Sequence, residues 1–575
     1  MKRLGLLISL ITIVSLLAAC ATPTPEIVEK VVTQVVKETV VQKEVVKETV
    51  IIEGTPQVVE KEVTKVVEVE KVVTPTPSAA GGEIIFGVTS DFATTIPTLS
   101  RDSTSASAQY LMYDGLFRID PVELVPIPWL VTDWEVSDDQ LTYTFNLRDD
   151  VRFHDGEPLT AEDAKFSIEA LIDPYNSSVL LGRLNVITGV EVLDTYTFQV
   201  VLEQPYAPLI TFLANTGAQI LPKHLLEGED LLATDFLNNP VGTGPFKFKE
   251  WAGGDHMTLV ANEDYFLGRP RLDSVVFRIV PDSASLVAAL KTGEVDISGI
   301  GARDIPQVQG DPHLQVIEMP SDCFYTIGAN LSQERFQDKR VRQAIMYSLP
   351  REQMVAELLE GHGYVTDSYI LRHSWAYNPD TQPVYRQNLE KAKELLAEAG
   401  WVDTDGDGVV EKDGEPFKFS LLSYTSITPG YNETIQQSLK DIGIQMDIQL
   451  LDWPTFLNKA FVEKEYDSFT VNMCVPLDPH NPTVWGCGTN AFFFCSEEFD
   501  EMGMKAVATT DREERKKYYF EMQNFLAEEQ VRFLLYSGTT IRVVNTRVVV
   551  GQGSPRNYTL ASFTLWPHEW YLVQR

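Results

Sequence analysis

The chain has 575 residues, of which 44% are hydrophobic and 22% are charged, a balance typical of a globular protein with about two to four domains. Its 82 Asp and Glu residues outnumber its 47 Lys and Arg residues, which leaves a formal net charge of −35. Nucleic acid is therefore not expected as a partner, because phosphate binding requires a basic surface.

Residues 1–20 are predicted to form a lipoprotein signal peptide. Lys2 and Arg3 precede an apolar stretch that is shorter than the ~20 residues needed to cross a bilayer. The stretch ends in Leu17-Ala18-Ala19-Cys20, which resembles a bacterial lipobox. The resemblance implies that Cys20 carries lipid and anchors the protein to the bacterial cell membrane, in the periplasm or at the cell surface. A cleaved signal with an incidental cysteine is the alternative.

Residues 20–82 are a low-complexity segment of Val, Glu, Lys and Thr, which we interpret as a stalk. Thr-Pro-Thr-Pro motifs at residues 22–25 and 74–77 bracket it. Its valine pairs recur at a spacing that fits neither a coiled-coil heptad nor strict strand alternation. We therefore expect a solvated spacer, which at ~3.3 Å per residue reaches on the order of 150 Å. A self-associating valine-rich stalk is the alternative.

Globular structure is predicted to begin after Gly81-Gly82, with a buried strand at residues 83–88. Further on, residues 142–147 and 196–202 alternate like strands, whereas residues 161–171 have helical periodicity. Asn388 is a predicted N-cap of a helix that ends near Gly400, and residues 512–527 form another amphipathic helix. Because strands and helices alternate without a regular repeat, the predicted fold class is α/β with α+β character.

The sequence contains no apparatus typical of an enzyme, so none is predicted. A phosphate loop, a nucleophile elbow, a zincin helix and a dinucleotide fingerprint are all absent at their required spacing. The segment from Gly242 to Pro245 is glycine-rich, but no lysine follows it and Pro245 has no N–H, which favours a tight turn over an anion site. His154 beside Asp155 is interpreted as a surface pair rather than a general base.

No cofactor is predicted, although one loop has the alternate carboxylates of a calcium site. Asp403, Asp405 and Asp407 stand at the first, third and fifth positions of such a loop. The twelfth position is Gly414 instead of Glu, so Glu411 or Asp413 would have to replace it. A hairpin turn explains the Asp and Gly residues equally well.

Beyond Cys20 the cysteines are Cys323, Cys474, Cys487 and Cys495, and their spacing matches no zinc pattern. Disulfides are permitted outside the cytoplasm. A Cys487–Cys495 or a Cys474–Cys487 disulfide and unpaired buried thiols all remain open.

Several separated segments resemble one family. They are residues 134–139, 141–148, 151–163 and 166–167, the turn at 241–246, the segment 290–296 and the helix start at 338–345. Together they are similar to the extracellular solute-binding proteins of the oligopeptide- and dipeptide-binding type, solute-binding protein family 5, which supply ABC importers. The resemblance extends over nearly everything from Gly82 to the C-terminus.

The resemblance implies a two-lobed periplasmic-binding-protein-like fold with an extra domain inserted in the first lobe, the three-domain arrangement called type II or cluster C. The expected first lobe comprises residues 83–115, 240–329 and 537–575, the extra domain residues 116–239, and the second lobe residues 330–536. In this family the cleft closes on the ligand and the closed protein, here expected as a monomer, delivers it to a membrane permease driven by ATPase subunits.

The family also implies ligand-binding residues. Trp453, in a W-x-T-F-L-like segment, is expected to line the pocket, as are Thr94, Thr95 and Ile96 of the first lobe. On the opposite lobe, peptide binders carry G-W-x-x-D, whose Asp pairs with the peptide ammonium, where this chain has Asn472, Met473 and Cys474 followed by Val and Pro. Asp478 is the nearest carboxylate that could replace that Asp after a rearrangement of the loop.

The predicted function is therefore the capture of peptides or a similar elongated solute by cleft closure, without catalysis. A buried ammonium with no partner costs several kcal/mol, so the departure from the peptide pattern leaves an oligosaccharide as the alternative ligand. A stalked adhesion or sensory receptor module is the alternative of another class.

Overall fold

A computed structural model describes residues 81–120, 123–480, 482–488, 490–550 and 567–572, together with the backbone of Gln34–Ile52 and Thr55–Val73. The chain divides into two units, Met1–Ser78 and Ala79–Arg575. The predicted signal peptide and Cys20 lie outside the described residues. The helices in the described ranges are all too short or too polar to cross a membrane.

The first unit contains a long antiparallel hairpin. Gln34–Ile52 pairs with Thr55–Val73 in a register that runs from Gln34↔Val73 to Ile52↔Thr55. This differs from the unpaired spacer expected from the sequence, because β-branched valines favour strands even without strict alternation. Each 19-residue strand spans about 60 Å, well below the reach of the same residues as one extended chain.

The second unit is built on one continuous mixed sheet. Along the sheet the strands lie in the order Phe246–Ala252, His256–Ala261, Ser274–Ile279, Glu83–Val88, Ile297–Ile300, Arg532–Asn545, Cys323–Ala329, Ser468–Cys474, Lys418–Tyr424 and Gln445–Leu451. Leu314–Pro320 and Gly363–Val365 pair additionally with Arg532–Asn545.

Arg532–Asn545, called the crossing strand below, belongs to both halves of this sheet. Its first residues pair with Cys323–Ala329 and its last with Ile297–Ile300 and Leu314–Pro320. The two halves are the sheets of the two lobes, and the chain passes between them at Pro320–Cys323 and again at Gly538–Thr539. Cys323–Ala329 therefore lies in the second lobe, so the boundary expected at residue 330 falls after this strand.

The inserted segment has its own sheet of four antiparallel strands. They lie in the order Val131–Val136, Thr142–Leu147, Thr197–Leu202 and Ile187–Val192, and a two-stranded ribbon joins Phe117–Ile119 to Pro126–Pro128. Thr142–Leu147 and Thr197–Leu202 bury every second side chain, which explains their alternating sequence. Phe145 and Phe198 pack in the core between this sheet and the helix Ala161–Ile172.

Helices cover the sheets of both lobes. In the first lobe and the inserted segment they are Ser103–Met112, Ala161–Ile172, Leu181–Leu184, Leu209–Leu213, Lys223–Leu226, Ser283–Thr292 and Ile305–Val308. In the second lobe they are Glu334–Gln337, Lys339–Ser348, Arg351–Leu358, Leu389–Glu398, Tyr431–Lys440, Trp453–Leu457, Pro482–Trp485, Glu497–Val507 and Arg512–Glu529. Both helices predicted in the second lobe are confirmed, and the Asn388 side chain caps Leu389–Glu398 by accepting the N–H of Lys391 at 3.0 Å.

The glycine-rich segment 242–245 is a turn pressed against the end of the helix Ser103–Met112. A Cβ at Gly242 would lie 2.0 Å from the carbonyl oxygen of Met112, and one at Gly244 would lie 2.5 Å from that of Leu111. Only glycine allows this approach of two backbones. The preference for a turn over an anion site is thus confirmed.

His154 holds this turn in place. The Gly242 N–H donates to Nδ1 of His154 at 3.2 Å, while Nε2 donates to the Gly244 carbonyl at 2.9 Å. The predicted surface pair with Asp155 is wrong, because Asp155 contacts His224 at 2.8 Å instead. Burial lowers the pKa of His154 to about 4, since the turn needs a neutral ring with one accepting nitrogen.

We predict that His154→Ala lowers the free energy of unfolding at pH 7 by about 1–3 kcal/mol, because the Gly242 N–H loses its acceptor and the Gly244 carbonyl, which also accepts from Asn262, loses one of its two donors. The folded-state pKa of His154 lies below its unfolded value, so its contribution to stability is present above pH ~6.5 and is lost as the pH falls towards ~4. Urea denaturation between pH 4 and 7 should therefore show a shallower pH dependence in the variant. His224→Ala is the control, and equal slopes in wild type and His154→Ala would contradict the prediction.

Candidate functional site

The predicted first-lobe residues lie inside their own lobe. Thr94, Thr95 and Ile96 are buried. The Thr95 hydroxyl donates to the Leu237 carbonyl at 2.8 Å, and the Thr94 hydroxyl accepts the Ile96 N–H at 3.1 Å. Gln109 donates to the Thr94 carbonyl at 3.1 Å. These polar groups are thus already paired, and a ligand role for the three residues stays a prediction.

In the second lobe, three parallel strands bring their carboxyl ends to one edge. Lys418–Tyr424 pairs in parallel with both Gln445–Leu451 and Ser468–Cys474. Trp453 follows the second of these strands, and Asn472 to Cys474 end the third. In open α/β sheets, ligands bind at such carboxyl ends.

Trp453 is 44% exposed although it belongs to an aromatic cluster. Its ring lies parallel to Phe456 at 5.4 Å and edge-on to Tyr424 at 4.9 Å. The Asp452 side chain caps the helix that Trp453 begins by accepting the N–H of Thr455 at 3.0 Å. Trp453 therefore offers a firmly held aromatic face at the edge where the strands end.

A cavity of about 320 Å³ gathers Asn472, Met473 and Cys474. The other residues that line it are Phe461, Lys464, Val471, Val484, Ala491, Phe492 and Arg532. The three consecutive residues that the family resemblance predicted on this strand thus line one cavity. Trp453 does not line it, but Phe456 links the two features, since its ring lies 6.3 Å from that of Phe461.

Arg532, at the start of the crossing strand, is the charged side chain buried at this cavity. It is 3% exposed, and its Nη1 donates to the sulfur of Met473 at 2.8 Å. The rings of Phe492 and Trp485 lie 4.2 and 5.5 Å from its Cζ. Burial lowers the pKa of Arg532 to about 9, because no carboxylate compensates its desolvation.

Gly328 leaves space for the ring of Phe492 beside the guanidinium of Arg532. It stands in register between Arg532 and Phe469 on neighbouring strands, so the three residues share one face of the sheet. A Cβ at Gly328 would lie 2.1 Å from the ring of Phe492. Phe492 therefore lies directly on the sheet, where it stacks on Phe469 at 5.3 Å and contacts the guanidinium.

The four cysteines form two disulfides, Cys323–Cys474 and Cys487–Cys495. The second pairing confirms one sequence alternative, whereas the Cys474–Cys487 alternative and the unpaired thiols are wrong. Cys323 and Cys474 stand opposite each other on neighbouring strands, a proximity that their separation of 151 residues conceals. The first disulfide therefore joins two strands at the rim of the cavity.

Asp478, the carboxylate expected to replace the missing Asp of the peptide-binding pattern after a rearrangement of the loop, is in an ion pair in this structure, and its ligand role stays a prediction. It is 2% exposed, and Arg515 donates to both of its carboxylate oxygens at 2.9 and 2.7 Å. The Tyr519 hydroxyl donates to the same carboxylate at 3.3 Å. Its charge is thus neutralised within the second lobe, which the sequence analysis did not anticipate because Arg515 is distant along the chain.

The inserted segment touches the second lobe beside Asp478. The N–H of Ala207 donates to the Val507 carbonyl at 2.8 Å, and the Tyr206 ring lies edge-on to His480 at 5.7 Å. Burial lowers the pKa of His480 to about 4, which keeps the ring neutral near pH 7. The first and second lobes are therefore in contact on this side of the molecule.

The calcium candidates are only partly brought together. Carboxylate oxygens of Asp403, Asp405 and Glu411 lie within 4.8 Å of one another, whereas Asp407 is outside this group. Asp403 already accepts the N–H groups of Gly406 and Gly408 at 2.7 and 3.1 Å, as in a hairpin turn. The absence of a cofactor, with these carboxylates as the calcium candidates, stays a prediction.

Two lobes on one sheet, a domain inserted in the first, and a cavity at the carboxyl ends of the second-lobe strands define a two-lobed binding protein. The sequence profile of the bacterial extracellular solute-binding proteins, family 5 Middle, matches residues 125–492. The chain belongs to this family, whose members bind solutes rather than transform them. The expected fold class is confirmed by the solved structures to which the chain is similar.

The chain is 30% identical to the oligopeptide-binding protein AppA of Bacillus subtilis over 472 residues, which cover 79% of this chain and 86% of that protein. The solved structure of that protein with a nonapeptide has a TM-score of 0.75 at 27% identity and covers 86% of this chain and 99% of its own. The structure of NikZ from Campylobacter jejuni with Ni(L-His) has the same TM-score at 29% identity, covering 86% and 100%.

We predict that Asp478→Ala lowers the free energy of unfolding by about 3–5 kcal/mol, because it leaves the buried Arg515 cation without a carboxylate. In Asp478→Leu/Arg515→Leu, which removes both charges, most of this loss should be recovered. Urea denaturation of the ligand-free protein measures both values. An unchanged midpoint in Asp478→Ala, combined with weaker ligand binding, would contradict a purely structural role.

Proposed function

We propose that the protein captures a peptide or a similar elongated solute outside the cytoplasmic membrane and delivers it to the permease of an ABC importer. The observation that carries the proposal is the cavity at the strand ends, which Asn472, Met473 and Cys474 line and to which the half-exposed Trp453 is linked through Phe456 and Phe461. Its position agrees with the general rule for ligand sites in α/β sheets. The oligopeptide-binding relative and the nonapeptide bound in its structure support a peptide as the solute.

An oligosaccharide is the second candidate, because no carboxylate for a peptide ammonium is among the described residues that line the cavity. The described residues offer Asp478 nearby, but Arg515 already neutralises it. An aromatic face such as that of Trp453 stacks well on a sugar ring.

Closure of the two lobes would couple binding to delivery. The lobes share only two chain passages within the described residues, Pro320–Cys323 and Gly538–Thr539, and short connections of this kind absorb hinge rotation. A solute that touches both lobes only in the closed form stabilises that form by its difference in affinity. The permease then recognises the closed form, and its ATPase subunits drive transport.

Lipid on Cys20 would keep the receptor near its permease. Several acyl chains on one residue, at ~0.8 kcal/mol per buried CH₂, hold a soluble body at a membrane surface. The segment between Cys20 and Gly82 then sets the effective concentration of the receptor at the permease. The binding unit itself works as a monomer.

We predict saturable binding of dipeptides, of tri- to pentapeptides or of xylo- or cello-oligosaccharides to the purified protein, followed by Trp fluorescence. Trp453→Ala should weaken binding of the preferred solute about tenfold, since an aromatic contact is lost. Trp401→Phe, a change in the buried second-lobe core, is the matched control for the loss of one indole from the fluorescence signal. If no member of the three sets binds, the proposed solute classes are wrong.

We predict that Cys20→Ser releases the protein into the medium without changing solute affinity, because the anchor and the binding unit are separate parts of the chain. Cell fractionation and titration of the released protein measure the two properties. Ala21→Ser, which keeps the cysteine, is the control and should remain with the membrane. An altered affinity in Cys20→Ser would show that the anchor takes part in binding.

A further inference from the structure

Of the five arginines that are fully buried in the described part of the chain, Arg532 alone has no carboxylate beside it, although the less buried Arg542 of the same strand likewise pairs with none among the described residues. Arg118, Arg342, Arg351 and Arg515 are buried as well, and each faces an Asp or Glu at 2.6–3.0 Å. Acidic residues outnumber basic ones in this chain, so the missing carboxylate at Arg532 does not reflect a shortage of Asp and Glu. A buried charge without a partner costs several kcal/mol, and its presence at a cavity is a sign of function.

The free hydrogen-bond donors of Arg532 form one edge of its guanidinium. Nη1 is engaged with Met473, whereas Nε and Nη2 have no partner within the described residues. The N–H bonds of Nε and Nη2 point in parallel from the same edge, which matches the two oxygens of a carboxylate. A single hydroxyl or carbonyl oxygen can accept from both, but it leaves the positive charge of the guanidinium uncompensated.

The surroundings favour a negative group. Lys464 also lines the cavity, and no Asp or Glu is among its described lining residues. Lys464 makes only a long hydrogen bond, 3.3 Å, to the Asn490 carbonyl. The buried Tyr466 hydroxyl interacts electrostatically with Arg532 and has no partner among the described residues. Two cations therefore line the same cavity, and one free hydroxyl lies close enough to Arg532 to interact with it.

Met473 is the side chain that contacts the guanidinium of Arg532 in the lining of the cavity. Nε and Nη2 are covered in this state, and the guanidinium is in contact with Met473 and Phe492. Phe492 is fixed by its stacking on Phe469, whereas an unbranched methionine changes conformation at small cost. A solute that displaces the Met473 sulfur frees Nη1 as a further donor, and the unpartnered Nε and Nη2 belong to the same guanidinium.

We propose that this cavity binds a carboxylate of the solute, with Arg532 as the bidentate donor and Lys464 as the second cation. The proposal rests on the proposed function and specifies its solute class. A peptide would be held by its C-terminal carboxylate rather than by its ammonium, consistent with the lack of an acidic residue in the lining. The uronate of an acidic oligosaccharide would present the same chemistry.

The experiment compares each solute with a form that lacks the carboxylate. Free-acid tri- to pentapeptides are titrated against their C-terminal amides, and xylo-oligosaccharides with a terminal uronate against neutral ones. Wild type should bind the acid of one pair at least ~30-fold more tightly than its neutral form, as expected for loss of a charge-paired contact. In Arg532→Gln this preference should fall below about threefold, with the affinity for the neutral form unchanged. Arg372→Gln, an exposed arginine outside the cavity, is the control.

The titration results distinguish failure of the carboxylate site from failure of the proposed function. Equal affinity of wild type for acid and neutral forms, or an undiminished preference in Arg532→Gln, overturns the carboxylate site while solute binding stands. No binding in either pair overturns both. A third measurement needs no solute: Arg532→Met should keep or raise the unfolding temperature, because it removes an unpaired buried cation. A large drop would show that Arg532 is structural and would overturn the proposal.

Discussion

The crossing strand is the constraint on which the second unit depends. Its first residues are hydrogen-bonded into the second lobe and its last into the first. A shift of one residue in a strand moves every side chain to the opposite face, so slippage here would disrupt two cores at once. Val544 of the first-lobe core and Arg532 of the second-lobe cavity are thus held by the same register. Relative motion of the lobes is thereby limited to bending between these two ends.

The buried charges of the second lobe are of two kinds, paired and unpaired. Asp478 and Arg515 neutralise each other and fix the loop that follows Ser468–Cys474. In the described part of the chain, aromatic rings and a sulfur atom surround Arg532, and they offset part of the cost of its desolvation without neutralising its charge. The paired charges stabilise the lobe whatever is bound, whereas the unpaired charge is best satisfied by something from outside. The site is therefore electrostatically incomplete without its solute.

Features that depend on local sequence were predictable. Alternation placed Thr142–Leu147 and Thr197–Leu202, and an N-cap with a C-terminal glycine placed Leu389–Glu398. Family resemblance predicted Asn472, Met473 and Cys474. They line the same cavity because they follow one another at the end of one strand.

Contacts between distant segments were not predictable. His154 with the turn at Gly242, and Asp478 with Arg515, join residues far apart in sequence. The sequence analysis missed Arg532, because a single charged residue next to an apolar stretch of strand is equally typical of an exposed position at a sheet edge.

The disulfide between Cys323 and Cys474 has a consequence for the energetics of recognition. It joins neighbouring strands at the rim, so one wall of the cavity is held in a single register before any solute arrives. Ordering a flexible wall on binding would cost about 0.5–1.5 kcal/mol for each immobilised side chain. Here the wall loses this conformational entropy when the disulfide forms during folding, so each molecule loses it only once and not at every binding event. Every later cycle of capture and release then begins from a preorganised surface, which favours rapid turnover.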